Sequence, residues 1–137
     1  MRILIAEDDF TSRMVLNTIL VPFGECDVAV NGEEAIHAFK LAHQQGNPYD
    51  LICLDLMMPA RDGHRVLEDI RRMEESMFLA KNSRIVITTS LGDRQNVLLA
   101  ANGKCEGYFL KPIDKGKFIE RLAALGLILP DGGGART

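Results

Sequence analysis

The chain has 137 residues, of which 47% are hydrophobic and 26% charged, and its net charge is −3 at neutral pH. This length and balance predict one soluble globular domain that is long enough to bury its own core. A net negative charge argues against a nucleic-acid-binding surface, which is normally strongly basic. Three scattered cysteines without a Cys-x-x-Cys pair indicate reduced thiols in a cytoplasmic protein. No apolar run approaches the ~20 residues that a membrane helix needs.

Five short apolar runs alternate with longer segments along the chain. We interpret the runs as β-strands, and they cover residues 3–6, 26–30, 51–54, 85–88 and 107–110. Four of them are almost continuously apolar or β-branched, which is typical of strands covered on both faces. The second run alternates between apolar and polar residues and therefore suits a strand nearer an edge of the sheet.

The intervening segments have helical periodicity. The apolar stripe of the first predicted helix comprises Val15, Leu16, Ile19, Leu20 and Phe23. Asn31 is the predicted N-cap of the second helix, the third and fourth helices cover residues 63–73 and 93–102, and the fifth ends at Gly126. Strict alternation of strand and helix predicts an α/β fold: a doubly wound, five-stranded parallel sheet with five helices on its two faces.

Polar residues follow four of the five predicted strands. They are Glu7, Asp8 and Asp9 after the first strand, Asp55 after the third, Thr88, Thr89 and Ser90 at the end of the fourth, and Lys111 after the fifth. Ligands of a parallel sheet bind beyond the carboxyl ends of its strands. The sequence therefore predicts a functional site where acids, hydroxyls and a lysine meet at one edge of the sheet.

The residues of this edge suit phosphoryl transfer. Two or three carboxylates cannot share a small space at neutral pH without a cation, and Mg²⁺ is commonly held by carboxylates and phosphate oxygens. Lys111 adds a compact positive charge for a phosphoryl oxygen, and a carboxylate can act as the nucleophile. The chain has neither a GxxxxGK[ST] loop nor a GxGxxG motif after a strand, so nucleotide binding is unsupported.

Four motifs occur in order at the predicted strand ends: ILIAEDD, LDLMMPARDG, IVITTS and GYFLKP. Together they resemble the receiver domain of two-component response regulators, and the resemblance covers roughly residues 2–126. It implies a flavodoxin-like fold. Residues 1–126 are accordingly predicted to form a receiver domain, and the glycine-rich residues 127–137 a flexible C-terminal tail.

The resemblance implies a role for each residue of the acidic group. Asp55 would be the phosphoacceptor. Glu7 and Asp8 would hold Mg²⁺ together with Asp55 and the backbone carbonyl of Met57. Asp9 is expected outside the metal shell, where it would serve the N-terminus of the first helix.

The resemblance also implies a switch. Lys111 would contact the phosphoryl group and would be followed by a cis peptide bond to Pro112. Thr89, rather than Thr88, would supply the switch hydroxyl, and Tyr108 would be the aromatic switch residue. Phosphorylation would alter a protein-interaction surface formed by the fourth helix, the fifth strand and the fifth helix.

The implied function is that of a phospho-accepting signalling switch rather than an enzyme in the ordinary sense, although the domain would catalyse its own phosphorylation and dephosphorylation. The phosphodonor would be a sensor histidine kinase or a histidine phosphotransfer protein, and the receiver would be a monomer or a phosphorylation-dependent dimer. We expect a stand-alone receiver without nucleic-acid or membrane binding.

Three alternatives remain. The chain is also compatible with a receiver fragment of a larger regulator, because a glycine-rich tail can begin a linker. A non-phosphorylated pseudo-receiver that acts as a binding module would share the fold. A haloacid-dehalogenase-type phosphatase also forms an aspartyl phosphate, but that family has a second aspartate two residues after the nucleophile, where this chain has Met57.

Overall fold

The structure, a computed structural model, describes residues 1–59, 63–77, 82–90 and 104–130. Its strands are β1 (Arg2–Ala6), β2 (Glu25–Ala29), β3 (Leu51–Asp55), β4 (Arg84–Thr89) and β5 (Gly107–Leu110). Its α-helices are α1 (Phe10–Leu20), α2 (Gly32–Gln44), α3 (Gly63–Ser76) and α4 (Lys115–Ala124), and a short 3-10 helix covers Val21–Phe23. Helix α4 is the predicted fifth helix. The predicted fourth helix, residues 93–102, lies outside the described residues, as does the tail from residue 131.

The strands form one parallel sheet in the order β2-β1-β3-β4-β5, with helices on both faces. Helices α2 and α3 bury apolar side chains against one face, and α1 and α4 bury theirs against the other. The predicted doubly wound, flavodoxin-like sheet is therefore confirmed. Within the described ranges, no helix combines the length and the apolar character that crossing a membrane requires.

Burial follows the position of each strand in the sheet. Strands β1, β3 and β4 have neighbours on both sides and are almost entirely buried. Strand β2 lies at one edge, as its alternating sequence predicts. Strand β5 forms the other edge and is less covered than its apolar run predicts, with Leu110 52% exposed.

The first helix buries a narrower stripe than the sequence predicts. Leu16, Ile19 and Leu20 are buried, and Phe23 is buried in the 3-10 helix that follows. Val15 instead is 41% exposed, so its place in the predicted stripe is wrong. Successive helical residues point about 100° apart, so Val15 lies outside a narrow stripe that has Leu16 near its centre.

Two helices begin at the caps that the sequence indicates. Asp9 accepts a hydrogen bond from the Ser12 backbone N–H at 2.9 Å and caps α1. Asn31 accepts one from the Glu34 backbone N–H at 2.8 Å and caps α2. Each side chain satisfies a backbone donor that has no partner within its own helix.

The chain reverses after α4 at Gly126, whose φ of 76° is readily adopted only by glycine. The Leu127 backbone N–H donates a hydrogen bond to the Leu122 carbonyl oxygen. Ile128 is then fully buried in the apolar cluster beneath α1 and α4. The packed part of the described chain thus extends two residues past Gly126.

Candidate functional site

The carboxyl edge of the sheet brings three predicted site residues onto one face. Glu7 directly follows β1, Asp55 ends β3, and Lys111 directly follows β5. Side chains alternate between the two faces of a strand, and each of these residues continues the set that packs beneath α1 and α4. The sheet topology therefore aligns two acids and a lysine that are separated by up to 104 positions in the sequence.

The lysine forms ion pairs with both acids. The Lys111 Nζ atom lies 2.6 Å from Glu7 Oε1 and 3.4 Å from Asp55 Oδ2. Because β4 lies between β5 and β3, the Lys111 side chain must cross the end of β4 to make these contacts. The peptide bond between Lys111 and Pro112 is cis, as the family resemblance implies. Glu7 is 0% and Asp55 2% exposed, so the pairs lie largely outside bulk water.

A third carboxylate completes an acidic group. Oxygen atoms of Glu7, Asp8 and Asp55 all lie within 4.8 Å of one another, and Asp8 is the exposed member. Three carboxylates beside one ammonium leave an excess of negative charge, which favours a cation. Carboxylate oxygens are hard ligands of the kind that Mg²⁺ prefers, so this donor set fits that ion.

The environment of Asp55 raises its pKa to about 7. The largest cause is burial, and the hydrogen bond and negative charge of Glu7 add to it. Two contacts act in the opposite direction: the Met57 backbone N–H, which donates to Asp55 Oδ1 at 3.1 Å, and the Lys111 ammonium. Burial by itself would lower the pKa of Lys111, but its pairs with Glu7 and Asp55 outweigh burial, and the pKa is raised.

Arg13 supports the acidic turn, and the sequence analysis missed it. Its Nη1 atom donates to the backbone carbonyl oxygens of Glu7 at 3.1 Å and Asp8 at 3.3 Å. The Asp9 backbone N–H donates to Glu7 Oε2 at 3.1 Å. These contacts orient the residues that carry the first two carboxylates. The available signal was an arginine one turn into the helix that follows the acidic residues.

The predicted switch residues belong to the other face of the sheet. Tyr108 is half-buried and packs against the cluster beneath α2 and α3. Side-chain alternation along β4 directs fully buried Thr89 to that same face. The Thr89 carbonyl oxygen accepts a hydrogen bond from the Lys111 backbone N–H at 2.8 Å, which links the two strands beside the site. The structure thus joins the lysine and the acids directly and groups Thr89 and Tyr108 separately.

The amino-acid sequence matches a known family. The model of the response regulator receiver domain matches residues 3–123. The chain belongs to the response regulator receiver family. Receiver domains are signalling switches of two-component systems rather than classical enzymes, and the resemblance that the motifs indicate is confirmed.

Relatives of two kinds resemble this receiver. The chemotaxis protein CheY of Treponema pallidum is 31% identical over 126 residues, which cover 90% of this chain and 81% of CheY. The probable transcriptional regulator ycf27 of Cyanophora paradoxa is 30% identical, with 90% of this chain and 47% of the regulator covered. The receiver therefore spans most of the CheY protein but about half of the transcriptional regulator.

A solved structure supports the same assignment. The crystal structure of the CheX–CheY–BeF3–Mg²⁺ complex from Borrelia burgdorferi contains a chain that superimposes on this receiver with a TM-score of 0.78. That chain is 27% identical, and the match covers 91% of this receiver and 88% of its relative. The fold of this receiver is thus shared with that CheY chain over nearly its whole length.

Proposed function

We propose that this receiver accepts a phosphoryl group on Asp55 and thereby switches a protein-interaction surface. The observation that carries the proposal is a buried carboxylate at a strand end, 3.4 Å from a lysine ammonium and grouped with two further acids. An Asp55 oxygen would attack the phosphorus of a phosphohistidine and form an O–P bond. The N–P bond breaks, and its electron pair leaves with the imidazole nitrogen.

The surrounding residues would supply charge stabilisation. Glu7, Asp8 and Asp55, with the backbone carbonyl of Met57, would hold Mg²⁺, which neutralises phosphoryl oxygens when bound. Lys111 is already within reach of Asp55 and would contact a phosphoryl oxygen. With these groups in place, the domain would catalyse its own phosphorylation and dephosphorylation.

The donor that we propose is a sensor histidine kinase or a histidine phosphotransfer protein in the cytoplasm. Exposed apolar side chains on α1 support a docking protein, because Phe10, Met14 and Val15 lie near the site rather than in the core. A cavity of about 210 Å³ lies between this surface and the site, and Glu7, Val15 and Lys111 are among its lining residues. A histidine presented by a docked partner could approach Asp55 along this side.

The output would pass through Thr89 and Tyr108. The Thr89 hydroxyl would turn onto the phosphoryl oxygens and leave room for Tyr108 to rotate, which would change the surface of the predicted fourth helix, β5 and α4. We propose a stand-alone receiver, monomeric or dimeric on phosphorylation. The boundary between residues 1–126 and the tail stays a prediction, and the burial of Ile128 favours a boundary a few residues later.

Incubation with acetyl phosphate and Mg²⁺, followed by intact mass measurement, tests the proposal. We expect a gain of one phosphate that requires Mg²⁺, is labile in base and is absent from Asp55→Asn. Glu75→Gln, which removes an exposed carboxylate on α3, is the control and should be phosphorylated as the wild type is. Absence of the adduct, together with no binding of beryllofluoride, would identify a pseudo-receiver and refute the proposal.

A further inference from the structure

Thr88, near the end of β4, is a polar residue in the interior of the protein. Its side chain is fully buried, and its Oγ1 atom has no hydrogen-bond partner among the residues that the structure describes. A buried hydroxyl without a partner carries a desolvation cost that a valine of nearly the same shape would avoid. The unmodified protein therefore retains a costly group at this position.

The sheet register places Thr88 beside the phosphoacceptor. Thr88 on β4 is the direct partner of Asp55 on β3. Cys53 and Val86, two residues earlier on each strand, both pack in the cluster beneath α1 and α4. Since side chains alternate, Thr88 and Asp55 point to the same face as neighbours on adjacent strands. Thr89 follows on the opposite face, so the two threonines have different surroundings.

In the unmodified state, Asp55 does not need the Thr88 hydroxyl as a hydrogen-bond donor, because Lys111 already provides one. Its side chain crosses the end of β4 and brings the ammonium to Asp55 Oδ2, while Oδ1 accepts the Met57 backbone N–H. Both oxygens of Asp55 therefore already have a donor. With the O–P bond formed at Oδ1, Oδ2 would stay a carbonyl oxygen. Phosphorylation would draw the ammonium towards the phosphoryl oxygens, and Oδ2 would then lose its donor.

We propose that the Thr88 hydroxyl is a positioning donor for Asp55 that engages in the phosphorylated state. It would replace the Lys111 ammonium at the Asp55 carboxyl group and hold that group in the orientation set by β3. The inference rests on the proposed function, because it requires phosphorylation of Asp55. A purely structural role would need only the β-branched shape of threonine, which valine reproduces.

Thr88→Val separates the two roles because it has opposite effects on the two states. Without ligands, we expect its unfolding midpoint to rise by about 2–5 °C, since an unpaired buried hydroxyl is removed. With Mg²⁺ and beryllofluoride, a mimic of the phosphoryl group, we expect the dissociation constant to increase about tenfold, since a donor to Asp55 is lost. Calorimetric titration and thermal unfolding measure the two quantities.

Two variants serve as controls. Thr88→Ser keeps the hydroxyl and should bind beryllofluoride as the wild type does, and Thr18→Val on the exposed surface of α1 should change neither quantity. Wild-type affinity in Thr88→Val, or an equal loss in Thr88→Ser, would overturn the inference. Failure of the wild-type protein itself to bind beryllofluoride would instead overturn the proposed function, and this inference with it.

Discussion

At the scale of single residues, burial and the Lys111 ammonium have opposing effects on the charged form of Asp55. Asp55 is buried beside Glu7, which disfavours its charged form, and Lys111 offsets only part of that cost. Such a carboxylate destabilises the unmodified fold at neutral pH, while a bound cation or a phosphoryl group with its cation would relieve the repulsion. Asp55, the residue that performs the proposed chemistry, therefore lowers the stability of the unmodified protein at neutral pH.

This cost predicts a pH-dependent effect of Asp55→Asn. The pKa of Asp55 in the folded protein, about 7, lies above its ordinary value of 3.8, so the folded state binds the proton more tightly than the unfolded chain. Through this group the free energy of unfolding increases as the pH falls from about 7, and that contribution is lost as the pH rises through 7. At pH 8 without divalent cations, Asp55→Asn should therefore be more stable than the wild type by about 1–2 kcal/mol.

Urea unfolding at pH 8 and pH 5 measures this effect. The advantage of Asp55→Asn should shrink at the lower pH, and added Mg²⁺ should stabilise the wild type more than the variant. Glu75→Gln on the surface of α3 should show no such difference. A variant less stable than the wild type at pH 8 would contradict the prediction.

Met57 offers a second prediction at this scale, on the lifetime of the phosphoryl group. Its side chain is 56% exposed two residues after Asp55, and the family resemblance implies that this position borders the path of the attacking water. A bulky apolar side chain would hinder that water, whereas an amide can hydrogen-bond to it. We expect Met57→Asn to lose the acyl phosphate several-fold faster and Met57→Leu to match the wild type, by intact mass over time. Unchanged or slower decay in Met57→Asn would refute the prediction.

At the scale of elements, the start of α3 is pressed against the end of β3. A side-chain Cβ at Gly63 would lie 2.4 Å from the Asp55 carbonyl oxygen, and the Gly63 backbone N–H donates to the Leu56 carbonyl oxygen at 3.0 Å. Glycine is required here by close approach rather than by backbone angle. The contact anchors the backbone directly after Asp55, the proposed phosphoacceptor.

A matched pair of glycine substitutions tests this contact. Gly63→Ala should lower the free energy of unfolding by about 1–3 kcal/mol, because backbone atoms must move apart, and should slow phosphorylation by displacing Asp55. Gly116→Ala in α4 places its Cβ at an ordinary 3.4 Å from Asp114 Oδ1. It should be neutral or stabilise by up to about 1 kcal/mol, because alanine favours helix. Equal changes in the free energy of unfolding for the two variants, measured by chemical denaturation, would contradict the need for glycine at position 63.

At the scale of the whole molecule, the amino and carboxyl ends of the strands carry different groups of charged residues. At the edge opposite the site, Arg71 of α3 forms ion pairs with Glu74 and Glu106 and donates to the Ser83 and Lys104 carbonyl oxygens. These contacts tie α3 to the beginnings of β4 and β5 with every charge of the group paired. At the carboxyl edge, by contrast, three carboxylates lie beside one ammonium, and a bound cation could offset the remaining negative charge.

The C-terminal segment supports a prediction on overall stability. Ile128 is fully buried in the cluster beneath α1 and α4, whereas its neighbour Leu129 is 40% exposed. Ile128→Ala should lower the free energy of unfolding by about 2–4 kcal/mol, since it removes buried methyl groups and leaves a cavity. Leu129→Ala should lower it much less, because that side chain is partly exposed. Guanidinium unfolding of both variants measures the difference. Similar losses in the two variants would argue that the domain ends at residue 126.

The sequence alone determined the architecture and the strand ends at which Glu7, Asp55 and Lys111 lie. Strand and helix periodicities differ, so the alternation of elements could be read directly, and polar residues after apolar runs indicated the carboxyl edge. Asn31 and Gly126 marked helix ends because capping is local chemistry. Glu7, Asp55 and Lys111 were identifiable because each lies at the carboxyl end of its own strand, whereas Arg13 lies within a helix.

Only the tertiary structure decided which of these residues touch and which surfaces are covered. Lys111 approaches Glu7 more closely than Asp55, Arg13 holds the acidic turn, and Thr88 is buried without a partner among the described residues. Val15 is exposed and Ile128 buried although both are β-branched and apolar. These outcomes depend on contacts between segments far apart in the chain, and local patterns carry no information about such distances.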